Sequence, residues 1–227
     1  MIAAIVVAAG QGTRFGGNTP KQFLMLRDRP LLAHSLLRFE RHPAVGEIVL
    51  VTAPAWQSHI RNEILSRFDL RKVGDLVAGG AERQDSVAAG LQAIKSHPEF
   101  IAVHDAVRPL FSMSLFERVL AGCRQADACI PAVALRDTVK QIENGMISRT
   151  LPRERLRLAQ TPQIFRSEVL RRAFSNADLH ALRGTDEAAL VEAVGGRVAW
   201  VEGDERNLKI TSPLDLQIAE LLCDEDQ

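Results

Sequence analysis

Short apolar runs alternate with amphipathic segments along the first part of the chain, and this alternation restricts the fold more than any other feature. The runs are apolar at successive positions, rather than at every second one, and they lie at residues 2–7, 47–52, 75–78, 100–104 and 128–134. Runs of this kind are typical of strands that are covered on both faces, as in a parallel sheet. We therefore predict a buried, mostly parallel sheet.

Between these runs, apolar residues recur at the spacing of an α-helix. The helical sets are Leu32, Leu36 and Phe39 after Pro30, then Val87, Leu91 and Ile94, then Leu115, Val119 and Cys123. A chain that alternates strand and helix winds its helices onto both faces of the sheet. The fold class that follows is α/β, a Rossmann-like, doubly wound domain.

The alternation stops after residue 134, where a polar, β-leaning segment begins. Residues 138–142 and 147–151 flank Asn144-Gly145, a strong signal for a β-hairpin. So little apolar surface cannot stabilise an isolated hairpin. We expect an arm at about residues 136–157 that lies on a second subunit, which makes the protein a homodimer.

The rest of the chain returns to helices and one strand. Helices are predicted near 168–174 and 187–194, and a strand at 197–201. A last helix begins after Ser212 as N-cap, with Pro213 as its first residue. Its predicted buried face is made of Leu214, Ile218, Leu221 and Leu222. No linker or repeat interrupts residues 1–227, so we expect one domain plus the arm.

The charge balance argues against a polymeric anion as partner. The chain has 28 basic and 28 acidic side chains, and a neutral protein has no overall field for nucleic acid or an anionic membrane. The apolar run at the N-terminus is too short to span a bilayer, and no basic segment precedes it. The 3 cysteines match neither a disulfide framework nor a zinc site. We expect a cytoplasmic protein.

A glycine-rich loop follows the first predicted strand, at residues 8–22. Such a loop lies at the carboxyl edge of a doubly wound sheet, where ligands bind. Glycines let backbone N–H groups approach phosphate oxygens, and Arg14 and Lys21 add positive charge. The loop lacks the Gly-Lys-Ser/Thr of a P-loop, and its glycines are one residue too far apart for a dinucleotide fingerprint. It predicts a different kind of triphosphate site.

Further short motifs follow in a fixed order. They are Gly79-Gly80-Ala81-Glu82-Arg83-Gln84-Asp85-Ser86-Val87, Val103-His104-Asp105-Ala106-Val107-Arg108-Pro109, Arg136-Asp137-Thr138-Val139-Lys140, Thr161-Pro162-Gln163, Thr185-Asp186-Glu187-Ala188 and Asn207-Leu208-Lys209-Ile210-Thr211. With the first loop, this order resembles the 2-C-methyl-D-erythritol 4-phosphate cytidylyltransferase family, in the cytidylyltransferase branch of the sugar-nucleotide pyrophosphorylase-like superfamily. The resemblance covers essentially the whole chain.

The resemblance implies transfer of CMP from CTP to a small polyol phosphate, 2-C-methyl-D-erythritol 4-phosphate, in the non-mevalonate route to isoprenoid precursors. Such transfer rests on positioning and on neutralising charge that develops on oxygens. The attacking phosphate is already anionic, so no general base is required. By the same resemblance Arg14 and Lys21 stabilise the transition state, while CTP is bound by Ala8, Ala9, Gly10, Gly12, Gly80 and Ser86.

Asp105 ends a predicted strand. A carboxylate there is often only a turn or cap residue, but one that faces a triphosphate is also a suitable ligand for Mg²⁺. The resemblance favours the metal role and makes Mg²⁺ the expected cofactor. His104 points to the other face of the strand and is predicted to be structural.

The remaining matches concern the acceptor. The resemblance assigns Arg108, Thr161, Thr185 and Lys209 to the acceptor or to phosphates between the substrates, with Lys209 catalytic, although Thr185 is equally placed to be a helix N-cap. It also assigns Thr138 and the catalytic Arg153 to the arm, reaching into the neighbouring subunit's site. Arg149, Arg155 and Arg157 surround Arg153, so its register is open by a residue or two, and a solvated basic edge is the alternative.

Two other functions stay open. A ribitol-5-phosphate cytidylyltransferase shares the fold and the CTP loop, and a nucleotide-sensing module would bind without turnover. The Arg-Asp-Thr and Thr-Asp-Glu-Ala motifs favour the methylerythritol reaction over the first. Transition-state cations argue against the second. A fused synthase domain would need about 150 further residues and is not expected.

Overall fold

The structure is a computed structural model that describes residues 1–10 and 19–223. An eight-stranded sheet forms its centre, and the strands belonging to it are β1 (Ile2–Ala8), β4 (Val45–Thr52), β5 (Val73–Ala78), β6 (Phe100–Asp105), β7 (Ala128–Ala134), β10 (Arg157–Ala159), β11 (Gln163–Arg166) and β12 (Val198–Glu202). The five strands predicted in the first 134 residues are all present. The continuous apolar character of β1, β4, β6 and β7 follows from burial on both faces, whereas β5, at the edge of the sheet, is partly exposed.

The sheet is mostly parallel. Strand β1 lies between β4 and β6, β5 extends the sheet beyond β4, and all these pairs are parallel. Strand β11 lies between β6 and β7 and is antiparallel to both. Strands β12 and β10 also pair with β7, the first parallel and the second antiparallel. The predicted mostly parallel α/β sheet is therefore confirmed, although an antiparallel strand in its middle was not predicted.

Seven α-helices lie within the described residues: α1 (Leu31–Arg41), α2 (Gln57–His59), α3 (Arg83–Ala93), α4 (Met113–Arg124), α5 (Ser167–His180), α6 (Glu187–Ala193) and α7 (Pro213–Leu222). Helix α2 is one part of a helical segment that begins with a 3₁₀ turn at Pro54–Trp56 and continues as a π-helix over Ile60–Leu65. This segment was not predicted, although Trp56, Ile60 and Ile64 recur every four residues and pack in the core on one face of the sheet. None of the described helices has the length and apolar character needed to cross a bilayer.

Alternate residues of β1 point into two separate cores. Ala4 and Val6 pack with α1 and α4 on one face of the sheet, whereas Ala3 and Ile5 pack with α3, α5 and α6 on the other. This two-sided burial is the physical reason for the unbroken apolar run at the start of the chain. It also anchors the end of β1 firmly, at the place where the first glycine-rich loop begins.

The prediction for the buried face of the last helix is wrong for Leu214, Ile218 and Leu221, which are exposed, and right for Leu222, which is partly buried. Leu214 and Leu221 are 61% and 84% exposed. The helix instead buries Ala219, and Leu216, Leu222 and Cys223 pack with it in a small third core. Apolar residues lie on two sides of α7, and the helix contacts only a small part of the fold. Periodicity in the sequence therefore could not show which of the two sides is buried. Ser212 is the N-cap, as predicted.

The hairpin forms where it was predicted. Strands β8 (Val139–Glu143) and β9 (Met146–Leu151) pair only with each other within the described residues and turn at Asn144-Gly145, both in the left-handed region. Ile142, Met146 and Ile147 on this arm are exposed. A second two-stranded ribbon, β2 (Met25–Leu26) with β3 (Arg29–Pro30), precedes α1.

Candidate active site

The first glycine-rich loop leaves the carboxyl end of β1 at Ala8, Ala9 and Gly10. Two predicted site residues, Gly12 and Arg14, lie outside the described residues. The chain returns through Lys21, the first residue of a 3₁₀ turn, Lys21–Phe23. The buried Gln22 amide donates from Nε2 to the carbonyl oxygen of Ala8 at 2.8 Å. This hydrogen bond holds Lys21 close to the end of β1.

The second glycine loop packs directly against the first. A Cβ built on Gly79 would lie 2.2 Å from the Cβ of Ala9, so only glycine permits this approach. Ser86 Oγ accepts a hydrogen bond from the Gly80 N–H at 3.2 Å and donates to the carbonyl oxygen of Glu82 at 3.1 Å. Helix α3 then begins with a capping box between Glu82 and Asp85. The two loops form one wall of backbone N–H groups and small side chains.

Asp105 ends β6 beside these loops and is surrounded by positive charge. Arg83 Nε lies 3.0 Å from Asp105 Oδ1, and Lys209 Nζ lies 2.8 Å from Oδ2. Burial on its own would raise the pKa of the Asp105 carboxyl, but the charges of Arg83 and Lys209 outweigh burial and hold that pKa well below its usual range. Asp105 is therefore ionised at neutral pH.

These residues surround a cavity of about 640 Å³. Of the predicted site residues, those that line it are Ala8, Ala9, Gly10, Lys21, Gly80, Ser86, Asp105 and Lys209. The cavity lies at the carboxyl edge of β1 and β6, where an α/β sheet binds its ligand. Segments far apart in sequence thus bring two lysines, one ionised carboxylate and two glycine loops together.

Lys209 is positioned by a buried amide network. Asn207 Nδ2 donates to the carbonyl oxygen of Thr161 at 2.8 Å, and Gln160 Nε2 donates to that of Asp204 at 2.8 Å. On the other side of Lys209, the Ile210 N–H donates to the carbonyl oxygen of Val107 at 2.9 Å. The backbone on both sides of Lys209 is therefore held to the sheet edge, which directs the ammonium group toward Asp105.

Arg108 and Thr161 lie at the same edge, and most of their polar groups already have protein partners. Arg108 Nη1 donates to the carbonyl oxygen of Asn207 at 2.8 Å, and its Nε lies 3.9 Å from Asp105 Oδ2. The Arg108 Nε is buried without a hydrogen-bond partner among the described residues. Thr161 Oγ1 contacts His104 Nδ1 at 2.9 Å. These two residues shape the edge around Asp105.

His104 is fully buried, in keeping with its predicted structural role. Its Nε2 contacts the carbonyl oxygen of Arg108 at 3.1 Å, and its ring packs against Phe39 and Phe111. Burial lowers the pKa of His104 to about 3. The neutral imidazole therefore donates from Nε2 and accepts from Thr161 at Nδ1.

Arg108 and Thr161 do not line the cavity themselves, and three further predicted residues lie farther from it. Thr185 is exposed in the loop before α6, and its alternative as N-cap is wrong, because Asp186 caps that helix by accepting from the Ala189 N–H. Thr138 and Arg153 are exposed at the base of the arm and line a separate cavity of about 430 Å³. Arg153 donates there to the carbonyl oxygen of Arg136.

Two residues of this site, Arg83 and Glu187, were not predicted from the sequence. Arg83 lines the cavity, and its Nη1 lies 2.6 Å from Oε1 of the buried Glu187. Both residues were present in the recognised motifs, each at the start of a helix. A charged residue in the first turn of a helix is usually exposed and interacts with the helix dipole. Only the contact between Arg83 and Glu187 in the folded chain shows that these two residues belong to the site.

The geometry defines a class of protein. Two glycine loops lie at the edge of the parallel strands, with fixed cations and an ionised carboxylate beside them. This arrangement suits a nucleoside triphosphate and a transfer reaction at one of its phosphorus atoms. No group of three or more His, Cys, Asp or Glu side chains suited to a metal occurs in the described part of the chain. These features define a nucleotidyltransferase site on an α/β fold.

Comparison with known proteins gives the family. The family model described as 2-C-methyl-D-erythritol 4-phosphate cytidylyltransferase matches residues 2–225. A relative of that name from Syntrophotalea carbinolica is 43% identical over 224 residues, which cover 98% of this chain and 96% of the relative. Another from Geobacter metallireducens is 43% identical over 227 residues, covering 99% and 98%. The chain belongs to the 2-C-methyl-D-erythritol 4-phosphate cytidylyltransferase family.

Solved structures agree. The 2-C-methyl-D-erythritol 4-phosphate cytidylyltransferase from Thermus thermophilus superposes with a TM-score of 0.80 at 34% identity and 98% coverage of both chains. The 4-diphosphocytidyl-2C-methyl-D-erythritolsynthase from Anaerococcus prevotii gives a TM-score of 0.85 at 29% identity and 97% coverage of both. The fold is therefore that of the family over nearly the whole chain.

Proposed function

We propose that this chain transfers CMP from CTP to 2-C-methyl-D-erythritol 4-phosphate in the cavity between the two glycine loops. The products are 4-diphosphocytidyl-2-C-methyl-D-erythritol and pyrophosphate, in the non-mevalonate route to isoprenoid precursors. The observation that carries this proposal is the convergence of Lys21, Lys209 and the ionised Asp105 in one cavity. Family membership supports the choice of nucleotide and acceptor.

The reaction needs no proton transfer. An oxygen of the acceptor phosphate forms a bond to the α-phosphorus of CTP, and the bond from that phosphorus to the bridging oxygen breaks. Pyrophosphate leaves with the electron pair. Negative charge therefore grows on phosphate oxygens, and the cations Lys21 and Lys209 lie where they can stabilise it. We extend this role to Arg14, which lies outside the described residues.

The two halves of the substrate pair have different neighbours. The backbone of Ala8, Ala9 and Gly10 and the loop of Gly80 and Ser86 suit the triphosphate and the nucleoside. We extend this role to Gly12. Lys209 and Arg108 both lie next to Asp105 Oδ2, and we assign them to the acceptor phosphate. The family resemblance adds Thr161 and Thr185 to this half. Arg108 is held at that edge by the carbonyl oxygen of Asn207.

Asp105 is the residue that would hold Mg²⁺. Magnesium commonly binds one or two carboxylates and completes its shell with phosphate oxygens and water, so the ionised Asp105 carboxylate at a triphosphate cavity fits. Both Asp105 oxygens already contact cations, Arg83 on one side and Lys209 on the other. A bound cation would share the carboxylate with them. It would neutralise charge on the triphosphate oxygens.

We propose that the arm joins two copies of the chain. Ile142, Met146 and Ile147 are large apolar residues that are 57%, 73% and 62% exposed, and a hairpin of this kind gains stability when it is covered. Thr138 and Arg153 lie away from the cavity of their own chain, which supports a role in the partner's cavity.

The cysteines are buried free thiols, as suits the reducing cytoplasm that we propose as the location of the protein.

Separate incubations test the acceptor. The purified chain is given CTP and Mg²⁺ with either 2-C-methyl-D-erythritol 4-phosphate or ribitol 5-phosphate, and pyrophosphate release is followed. Release with the methylerythritol acceptor is expected. Release with ribitol 5-phosphate alone would overturn the proposal in favour of a ribitol-5-phosphate cytidylyltransferase.

The alternative of a nucleotide sensor is tested at Lys21. Lys21→Ala should lower kcat by about 100-fold or more, as for loss of one transition-state contact, while CTP affinity falls much less. Lys95→Ala is the control, because Lys95 pairs with Asp75 far from the cavity and is exposed. A chain that binds CTP but releases no pyrophosphate with either acceptor would favour the sensor.

A further inference from the structure

Arg83 bridges two acidic residues from different parts of the fold. It is the first residue of α3, and its side chain is 27% exposed at the nucleotide cavity. Its Nε donates to Asp105 Oδ1 at 3.0 Å, and its Nη1 donates to Glu187 Oε1 at 2.6 Å. One planar guanidinium therefore joins the end of β6 to the start of α6.

Glu187 makes the bridge unusual. It is the first residue of α6, 1% exposed, and its second carboxylate oxygen has no hydrogen-bond partner among the described residues. Burying a carboxylate is costly unless a partner compensates it, and Arg83 supplies that charge. Arg83 is therefore the side chain that both neutralises the start of α6 and joins it directly to Asp105.

The bridge reaches the acceptor side through the loop before α6. Thr185 and the N-cap Asp186 immediately precede Glu187. The same loop is tied to α3 by Gln84, whose Nε2 donates to the carbonyl oxygen of Leu182 at 3.0 Å and whose Oε1 accepts from the Gly184 N–H at 3.0 Å. The first turn of α3 thus holds this loop, and Arg83 is the residue of that turn that also touches Asp105.

We propose that Arg83 is a positioning residue that sets the distance between the nucleotide half and the acceptor half of the site. It holds Asp105 by one edge of its guanidinium and the start of α6 by the other. This inference rests on the proposed function, because it assigns the two halves to CTP and to the polyol phosphate. Misplacement of a reacting group by about 1 Å can cost on the order of 100-fold in rate.

Glutamine variants separate positioning from simple stability. Arg83→Gln breaks both contacts and leaves Glu187 as an uncompensated buried charge, so the thermal midpoint should fall. The double variant Arg83→Gln with Glu187→Gln removes that charge and should recover most of the midpoint. Its kcat/KM for the acceptor should stay lowered by about 10-fold or more. Arg171→Gln is the control, because Arg171 binds α3 through the Leu91 carbonyl oxygen, away from the cavity.

The single variant Glu187→Gln tests the direction of the coupling. It loosens α6 but leaves the Arg83 contact to Asp105, so KM for the acceptor should rise by about 5-fold or more while KM for CTP changes less than about 2-fold. Arg83→Gln should raise both. If Arg83 instead binds phosphate directly, Glu187→Gln leaves both KM values unchanged, and the inference is overturned.

Two further results are decisive. A double variant with a recovered midpoint and wild-type kinetics would show that the bridge serves stability alone, which overturns the inference. An inactive wild-type chain would overturn the proposed function instead. In that case calorimetric titration still measures the binding affinity of each half of the site, with CTP and Mg²⁺ for one half and the polyol phosphate for the other. Weaker binding of both to Arg83→Gln but not to Arg171→Gln would support the bridge, and equal binding would refute it.

Discussion

Thr161 accepts a hydrogen bond at its hydroxyl oxygen from the backbone N–H of Asp105, at 3.1 Å. The same hydroxyl donates to His104 Nδ1, and His104 Nε2 donates to the carbonyl oxygen of Arg108. A short chain of hydrogen bonds therefore runs behind the cavity and fixes the backbone that carries Asp105. Thr161, His104 and Asp105 are all buried. Removing one partner of these hydrogen bonds therefore leaves a buried polar group unsatisfied, which lowers the stability of the fold.

Thr161→Val should destabilise the fold by about 1–3 kcal/mol, because it leaves the Asp105 N–H and His104 Nδ1 buried without partners. Thr161→Ser keeps the hydroxyl and is the matched control, with a smaller loss from the missing methyl group. Urea unfolding of the two variants measures the difference. Equal stability of the valine and serine variants would contradict this account.

Gly79→Ala should both destabilise the protein and weaken CTP binding. The added Cβ would lie 2.2 Å from Ala9 Cβ and 2.9 Å from Ser86 Oγ, and overpacking of this kind costs about 1–3 kcal/mol. The two glycine loops must then separate, so KM for CTP should rise. Gly74→Ala is the control, since nothing lies within 4 Å of a Cβ at that position. An unchanged KM in Gly79→Ala would show that loop contact is not needed for nucleotide binding.

Charge on the arm should separate the two subunits. Ile142 and Ile147 face each other across the hairpin and are exposed, so lysine at both positions should disrupt an apolar subunit contact. Sedimentation velocity should show a monomer with a nearly unchanged melting temperature and much lower activity. Ser148→Lys places one charge on the opposite face of the same strand and should leave the dimer intact. A wild-type chain that sediments as a monomer would refute the dimer proposal.

His34 should make stability fall in acid. Burial lowers the pKa of His34 below 6.5, so the unfolded chain takes up this proton first as the pH decreases. Its contribution is present above about pH 6.5 and is lost below it, at up to about 1.4 kcal/mol per pH unit for one proton. In His34→Gln, the free energy of unfolding should depend less on pH as the pH falls below about 6.5, by denaturant titration. His97→Gln, at an exposed site, controls for the loss of an imidazole.

The sequence predicted the parts of this fold that depend on local pattern. Strands β1, β4, β6 and β7 are covered on both faces, and that burial is visible as apolar runs. Strand β5 was predicted from the shorter run at its end. Strand β11 was missed because Gln163–Arg166 is four residues long and follows the polar arm. Its place between β6 and β7 is decided by pairing over long distances, which no local pattern encodes.

The site shows the same division. Motif order predicted the residues that gather around the cavity, because most of them stand at or just after the end of a strand or in the first turn of a helix. It gave no indication that Arg83 would bridge Asp105 and Glu187, since those residues are 22 and 104 positions away in sequence. Side-chain partners at such separations depend on how the strands and helices pack together in the folded chain. The roles of the individual site residues remain predictions, to be tested with the variants above.

The antiparallel insertion of β11 also governs how the chain can be made. Strand β7 pairs with β10, β11 and β12, and all three leave the ribosome after it. Until residues 157–166 emerge, β7 has no neighbour among its sheet partners and β6 has one bare edge. Unpaired strand edges attract other chains. Fragments that stop before the end of β11 should therefore aggregate. If the chain is divided in two at the turn of the arm, both pieces should be produced together, so that β11 can pair with β6 and β7.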